Sequence, residues 1–423
     1  MSGSGGTTGA GNAGKRRRGL RIALHWQILI GIALGAVYGI FLPHWTGYIE
    51  WIGDIFLNAL NMIVIPLIAS SIFIGVAGMA GGNLGRVLGK TLSYYLLTTL
   101  TAIIIGLGLV SVIKPGAGRD IVLSGSTGDI AAQDIHMIDQ LTGIVPSNVF
   151  AAMADGNILP VIFFMVLLGI FSTKLEKKHY TVLLDFFTAV YELIMKVTLF
   201  IIRLTPLGIF SVMACMIGKQ AGDPDALIGI VKGLGLFVLT VWTGCLIHGA
   251  LVLPGTVRLL AGINPYRHMR RVSTPLLTAF TTCSSNATLP LSIRYTQSCG
   301  VSEKLAGLTL SLGSTVNMNG TALFECVSAL FIAQLYGIDL TIGQQITVVL
   351  TSLLAAVGSA GIPMAGIVMM AVVFNAVGLP MEGVGIILAV QQICEMPRTC
   401  LNVYGDLCGA VIVARSEGEK ISV

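Results

Sequence analysis

Charge is scarce in this chain: Asp, Glu, Lys and Arg supply 11% of its 423 residues, against roughly 25% in a soluble globular domain. That scarcity excludes an ordinary soluble fold. Alternating strand patterns are lacking too, since runs such as "VIFFMVLLGIF" at 161–171 are apolar throughout, which sets aside an outer-membrane barrel. Paired cysteine spacing is missing. All eight cysteines fall between Cys215 and Cys408 in apolar or site-like stretches, without a CxxC pair, so they read as reduced packing residues and not as a disulfide frame or metal site. The six histidines form no HExxH and no cluster, which argues against a catalytic metal; no cofactor is expected. What is abundant is hydrophobic residue, 54% of the chain, in stretches of about 20 residues, the length that carries a helix across a hydrocarbon core of about 30 Å. The expected class is an all-α polytopic membrane protein.

The net charge of +5 is accounted for by membrane orientation, so nucleic-acid binding is not indicated. Residues 1–18 are a Gly/Ser/Thr tract followed by basic residues, read as a disordered tail. Lys15, Arg16, Arg17, Arg18 and Arg21 precede an apolar segment from Ile22 to Leu42, and the positive-inside rule places that end in the cytoplasm. No small-residue cleavage site precedes Pro43, so the segment reads as a first span and not a secretory signal. Loops then alternate: 44–50 outside, Arg86 and Lys90 inside, an acidic loop over 115–139 outside, 172–178 inside, 218–225 outside, and Arg258 inside. The next apolar segment, 274–293, is flanked by Arg267, Arg270 and Arg271 before it and by Arg294 and Lys304 after it. Both flanks want the cytoplasm. A re-entrant hairpin turning near Pro290, or at the Ser/Asn cluster before it, satisfies both, provided its backbone is buried or lines a wet cavity. A second interrupted segment, 342–377, carries "VGSAGIPMAG" at its middle and reads as the mirror hairpin from outside. Two such segments of opposite approach point to an inverted-repeat transporter with a midplane site; the alternative is a pair of kinked full spans. "GIALG" at 31–35 admits close helix packing, but a lone small-xxx-small pair is weak and bland packing is the expectation.

Three polar inserts interrupt apolar surroundings: "CSSNATLP" at 283–290, "NMNG" at 317–320 and "CEMPRTCLNVYGD" at 394–406. A helix broken at Asn and Gly frees carbonyls that can coordinate an ion or substrate. In the last insert Glu395, Arg398, Asn402 and Asp406 are spaced for one helical stripe, which must face protein or water because ionised groups at the bilayer centre cost at least about 2.5 kcal/mol each. Arg398 offers a planar fork for a carboxylate, Glu395 an acceptor for an ammonium and Asn402 a neutral donor. That set suits an acidic amino acid. A purely structural Arg398–Glu395 pair is the rival.

"SSNATLPLS", "NMNGTAL", "GIPMAG" and "RTCLNVYGD" resemble, in this order, the signatures of the dicarboxylate/amino acid:cation symporter family, the glutamate transporter family, over about 22–415. The resemblance implies the glutamate-transporter fold: eight transmembrane helices plus two re-entrant helical hairpins in inverted repeats. It further implies a homotrimer in which a scaffold (19–80 and, with the extracellular loop, 115–219) holds a sliding transport domain (85–114 and 226–416), leaving a C-terminal tail at 417–423. The substrate places match Thr321, Glu395, Arg398, Thr399 and Asn402, with Cys283, Ser284 and Ser285 of the first hairpin and Ile362 and Gly366 of the second, whose tip would be the gate. Arg398 would hold the side-chain carboxylate and Glu395 the amino group. Glu395 stands where the family usually has Asp, and Gln391 where an acid is common.

One cation place matches Asp406, Asn317, Gly313 and Asn402, and a second matches Thr315 with Ser359 of the second hairpin. A third uses positions matching Tyr95, Thr98, Thr99 and the acid of "NMDGT", which here is Asn319; losing that charge weakens an oxygen cage for a hard cation. Glu325 matches the glutamate of proton-coupled members. Burial disfavours a charged carboxyl, so such a group can load a proton and release it on wetting; a permanently neutral acid is the rival. With Glu325 and Glu395 as proton-coupling candidates, the expectation is a cytoplasmic (inner) membrane symporter, both termini cytoplasmic, importing aspartate or glutamate with protons favoured over sodium. The alternatives are a sodium-coupled acidic amino acid symporter with fewer sodium sites, or a C4-dicarboxylate carrier. An ion channel has no need of an Arg–Glu pair shaped for a zwitterion. An intramembrane enzyme fails because Ser284 and Ser285 have no histidine partner in their segment.

Overall fold

The computed structural model describes residues 24–77, 82–117, 145–155, 158–220, 224–358 and 365–422. The N-terminal tail with its basic residues, most of the acidic loop, and Ser359 and Ile362 of the second expected hairpin lie outside them. The described residues are helical, without a strand. In chain order the helices are α1 (Leu24–Phe41), α2 (Glu50–Ala77), α3 (Gly82–Ile113), α4 (Val149–Ala154), α5 (Ile158–Ser172), α6 (Lys177–Gln220), α7 (Pro224–Ile247), α8 (Leu253–Thr256), α9 (Pro265–Arg271), α10 (Ser273–Thr282), α11 (Ser285–Ser298), α12 (Glu303–Val316), α13 (Asn319–Leu335), α14 (Ile342–Gly358), α15 (Ala365–Ala376), α16 (Glu382–Leu388) and α17 (Gln391–Ser416).

Among the described residues five helical stretches are long and apolar enough to cross a membrane: 50–77, 86–113, 177–219, 228–261 and 303–335. α1 and α5 are the described parts of the first and fourth expected spans, and α17 is long enough but carries its polar stripe. The stretch 228–261 stays continuous through two widened π turns, His248–Val252 and Val257–Ala261, on either side of α8. Pro254 lacks the N–H that a regular turn would use there, and Gly262 ends the run at φ 68°.

α6 carries α1 and α2 along its length, with α5 against α2. The α1–α6 contact overturns the expectation of bland packing. A Cβ on Gly31, Gly35 or Gly39 would stand 2.5, 2.5 or 2.6 Å from the backbone oxygen of Pro206, Phe210 or Ala214. The pair at 31 and 35 is therefore the first part of a longer ridge, and its glycines let the two backbones meet directly.

α13 is the core of the other group. Every residue in it except Gln334 is buried, as expected of a helix apolar on all sides, and α3, α7, α14, α15 and α17 surround it. Phe237 of α7 meets Phe324 and Phe331 of α13 with ring centroids 5.8 and 4.9 Å apart. Because this helix touches protein all round, its polar residues never need to face lipid.

α10 and α11 pack on each other and on α17. They turn at Cys283, in the left-handed region at φ 52°, and at Ser284, whose Oγ accepts from Ala287 N at 3.2 Å. The turn therefore falls at the Ser/Asn cluster, and Pro290 lies inside α11. Arg271 Nη2, at the head of one arm, donates to Ser298 O, at the foot of the other, at 2.8 Å, so the arms are antiparallel. With 10 and 14 residues they reach about 15 and 21 Å, less than the hydrocarbon core. α14 and α15 likewise pack together.

The chain's C-terminal segment closes one end. Glu417 takes Arg86 and Lys90 of α3 at 2.6 Å each, Ser302 N donates to Glu419 Oε2 at 2.9 Å, and Ser422 N donates to Cys299 O at 2.9 Å. The start of α3, the link between α11 and α12, and the end of α17 thus share one end, in keeping with the common side expected from their charges.

Candidate functional site

The apolar run from 305 to 335 is broken at Asn317 (φ −95°, ψ 77°) and Met318 (φ −106°, ψ 54°), neither helical. The break ends α12 and starts α13 beside the middle of α17. The two helices touch there because Gly320 has no side chain: a Cβ would run into the backbone of Arg398. Gly320 N donates to Asn402 Oδ1 at 2.7 Å, and Asn402 Nδ2 donates to Thr321 Oγ1 at 3.1 Å and Met318 Sδ at 3.2 Å. An orphan N–H at the head of α13 is thereby satisfied by a side chain of α17, where a local cap would ordinarily serve. The sequence reading treated Asn402 as a free donor; here its amide also clamps the helix break.

The stripe on α17 is entirely buried: Glu395, Arg398, Asn402 and Asp406 are 2, 2, 3 and 4% exposed. Arg398 Nη2 stands 3.4 Å from Glu395 Oε1, a long contact for a charge-assisted bond. Its guanidinium carbon lies over the Phe324 ring, 4.3 Å from the centroid, and its Nη1 has no hydrogen-bond partner. A desolvated cation–π contact of this kind contributes about 2 kcal/mol. Gly366, at the start of α15, comes so close that a Cβ would sit 2.9 Å from Arg398 Nη2. From the other side Gln392 Nε2 donates to Cys283 Sγ at 3.4 Å, and the Cys283 thiol is within electrostatic reach of Glu395 and Arg398. The structure therefore brings the turn of α10–α11, the head of α13, the head of α15 and the middle of α17 around one guanidinium. Thr399 is buried next to it in sequence.

A second polar layer lies one turn further along α17. Asn317 Nδ2 donates to Asp406 Oδ1 at 2.8 Å, leaving Asn317 Oδ1 without a partner. A Cβ on Gly313 would strike the Asp406 carboxylate and come within 2.7 Å of the Tyr95 hydroxyl, which donates to Thr309 O at 3.0 Å. Deeper still, Asn319 Oδ1 accepts from Thr99 at 2.7 Å and Thr98 at 3.5 Å, while its Nδ2 has no partner. Tyr95, Thr98, Thr99 and Asn319 are thus adjacent, but one corner of the oxygen set is an N–H donor. Thr315 points elsewhere: its Oγ1 donates to Leu312 O at 3.1 Å and the residue is only half-buried.

Glu325 lies one helical turn past Thr321. It is wholly buried, and neither carboxyl oxygen has a hydrogen-bond partner. Gln391, on the first turn of α17, is buried with both amide atoms unpartnered. Phe324 and Met318 are the contributors that residue chemistry alone passed over. The signal for Phe324 was its position three residues after Thr321 on the same face.

A broken helix, an antiparallel helix pair and a buried charge stripe in a helical membrane protein are the features of a membrane transporter. The chain belongs to the sodium:dicarboxylate symporter family, whose model matches residues 24–416. It is 33% identical to a proton/glutamate-aspartate symporter of Escherichia coli (strain K12), covering 95% of this chain and 94% of that one. It is 33% identical to a proton/sodium-glutamate symport protein of Bacillus caldotenax, covering 94% and 96%, and 32% identical to a C4-dicarboxylate transport protein of Bacillus subtilis (strain 168), covering 93% of each.

Proposed function

We propose that the protein is a secondary active symporter that moves an acidic amino acid, aspartate or glutamate, across a cytoplasmic membrane. The observation that carries this reading is the buried Arg398–Glu395 pair, with Nη1 of the guanidinium unengaged and Gly366 and Cys283 close by. A carboxylate fits the planar fork and an ammonium fits Glu395. The similarity to glutamate and aspartate symporters supports the same substrate class. A C4-dicarboxylate is the second reading, favoured by the Bacillus subtilis relative, but Glu395 would then meet a second anion. Comparing aspartate with succinate binding to purified protein tests this: tighter succinate binding would defeat the role of Glu395.

Proton coupling is favoured over sodium coupling. Glu325 has no donor to hold it as an anion, and an unpartnered buried charge is costly, so it can carry a proton when dry and lose it when wetted. Asn319 removes the charge from one cation place, while Asp406, Asn317 and Gly313 keep the oxygen set of another, which leaves room for a residual sodium dependence. Uptake into proteoliposomes under an imposed pH gradient without sodium is the test, and failure to accumulate substrate refutes proton coupling. We further propose eight spans, two re-entrant hairpins and a homotrimeric elevator, with α1, α2, α5 and α6 as scaffold and α3, α7 and α10–α17 as the moving part. α1 and α2 pack chiefly on α6 and the other group chiefly around α13, with α2 meeting α14 and α15 at the border, which supports that division.

A further inference from the structure

Behind the polar stripe, between α7, α10 and α17, lies a cavity of about 320 Å³, within the range of small-ligand pockets. Its walls are apolar: Trp242 and Leu246 of α7, Met269 of α9, Phe280 of α10, and Pro397 and Leu401 of α17. Trp242 Nε1 donates to Ile393 O at 3.2 Å, which fixes the indole as a wall. The cavity sits against the first widened turn of the long helix, a distortion that recurs at functional sites; Leu246 in its wall and Leu251 on that turn are exposed. In a bilayer such exposed apolar side chains meet hydrocarbon.

The chemistry changes abruptly at the end closed by Met269. α9 carries Arg267, Arg270 and Arg271, and Arg258 lies on the second widened turn just before it; all four are exposed. Arg271 bonds Ser298 O, and among the described residues no carboxylate pairs with any of the four. A neutral apolar molecule would use the cavity and leave the arginines idle. A soluble anion would do the reverse. An amphiphile with a negative head uses both, and basic pockets between transmembrane helices bind such heads.

We propose that this cavity is a binding site for an anionic glycerophospholipid, with an acyl chain along Trp242, Leu246 and Phe280 and its phosphate at Arg267 and Arg270. Pro397 and Leu401 are the sequence neighbours of Arg398 and Asn402, and α10 runs on to the Cys283 turn. A chain lying there braces α10 against the back of the substrate stripe.

The test does not involve transport, so it stands or falls separately from the proposed substrate and coupling ion. The full chain is reconstituted in phosphatidylcholine vesicles that contain, at equal mole fraction, either brominated phosphatidylglycerol or brominated phosphatidylcholine. Bromine quenches indole on contact, and the difference between the unsubstituted protein and Trp242→Phe isolates the Trp242 signal. That signal should be half-quenched at a several-fold lower mole fraction of the anionic lipid. Arg267→Ala with Arg270→Ala should abolish that preference, and Ala250→Phe, which fills the cavity from the widened turn, should lessen quenching by both lipids. Equal quenching by the two lipids, unaffected by loss of the arginines, would mean general lipid contact only and would overturn the proposal. So would a Trp242 that neither lipid reaches.

Discussion

Asn319→Asp exchanges an amide nitrogen that has no partner for an oxygen bearing charge, while the oxygen already held by Thr99 and Thr98 is kept. No hydrogen bond is lost in the exchange. The variant therefore isolates charge at a site whose other members, Tyr95, Thr98 and Thr99, are in place and buried. Opposite unit charges about 4 Å apart at an effective dielectric of about 20 attract by about 4 kcal/mol. Holding a dry ion and carboxylate costs several kcal/mol. That cost offsets most of the attraction, and a remainder of about 1.4 kcal/mol corresponds to about tenfold in sodium affinity. The assay is aspartate binding to purified protein titrated with sodium at fixed pH. Half-maximal stimulation should move to about tenfold less sodium in the variant, and Thr99→Ala placed on top should undo most of that gain. An Asn319→Asp protein that melts like its parent yet shows an unchanged sodium titration would refute the view that this side chain alone disables the site.

Glu325→Gln should abolish accumulation driven by a pH gradient while leaving exchange of labelled for unlabelled substrate intact; retained accumulation would show that the proton travels elsewhere. Arg398→Lys keeps the charge but loses the fork and the guanidinium's place over the Phe324 ring, so aspartate affinity should fall by at least about tenfold, read by calorimetry. Gly320→Ala forces a methyl into the backbone of Arg398 and should cost about 1–3 kcal/mol, seen as a lowered melting temperature. Glu417 is held below the usual carboxylate range by its hydrogen bonds from Lys90 and then Arg86. A lowered value in the folded state means its stabilisation is complete above the ordinary carboxylate range and is lost as pH falls through the lowered value. Protection factors for amide exchange at 416–422 should therefore fall on acidification, and at neutral pH in Glu417→Gln.

Much of the site was legible before any coordinates, because each polar residue stood out against apolar neighbours: Arg398, Glu395, Asn402 and Asp406 share a stripe by spacing alone, and the flanking arginines of 274–293 called for both ends of that segment on one side. The location of the first turn was half legible. Pro290 and the Ser/Asn cluster were equal candidates by composition, and Cys283 turns the chain although a cysteine carries no turn preference, with Ser284 capping the next helix. The α1 ridge escaped because Gly39 lies outside the pair at 31 and 35 and its partner is a backbone oxygen, which every sequence has. Contacts such as Gly320 to Arg398 or Glu417 to Lys90 join residues far apart in the chain, so local pattern carries no trace of them.

The ridge of Gly31, Gly35 and Gly39 has a mechanical consequence. Side-chain interfaces can repack by rotamer changes as helices slip, but main chain resting on main chain has nothing to rearrange. Sliding α1 along α6 would lift three glycine notches over carbonyl oxygens at once, so the two helices behave as a single welded post. Any part of this protein that travels must do so past that post.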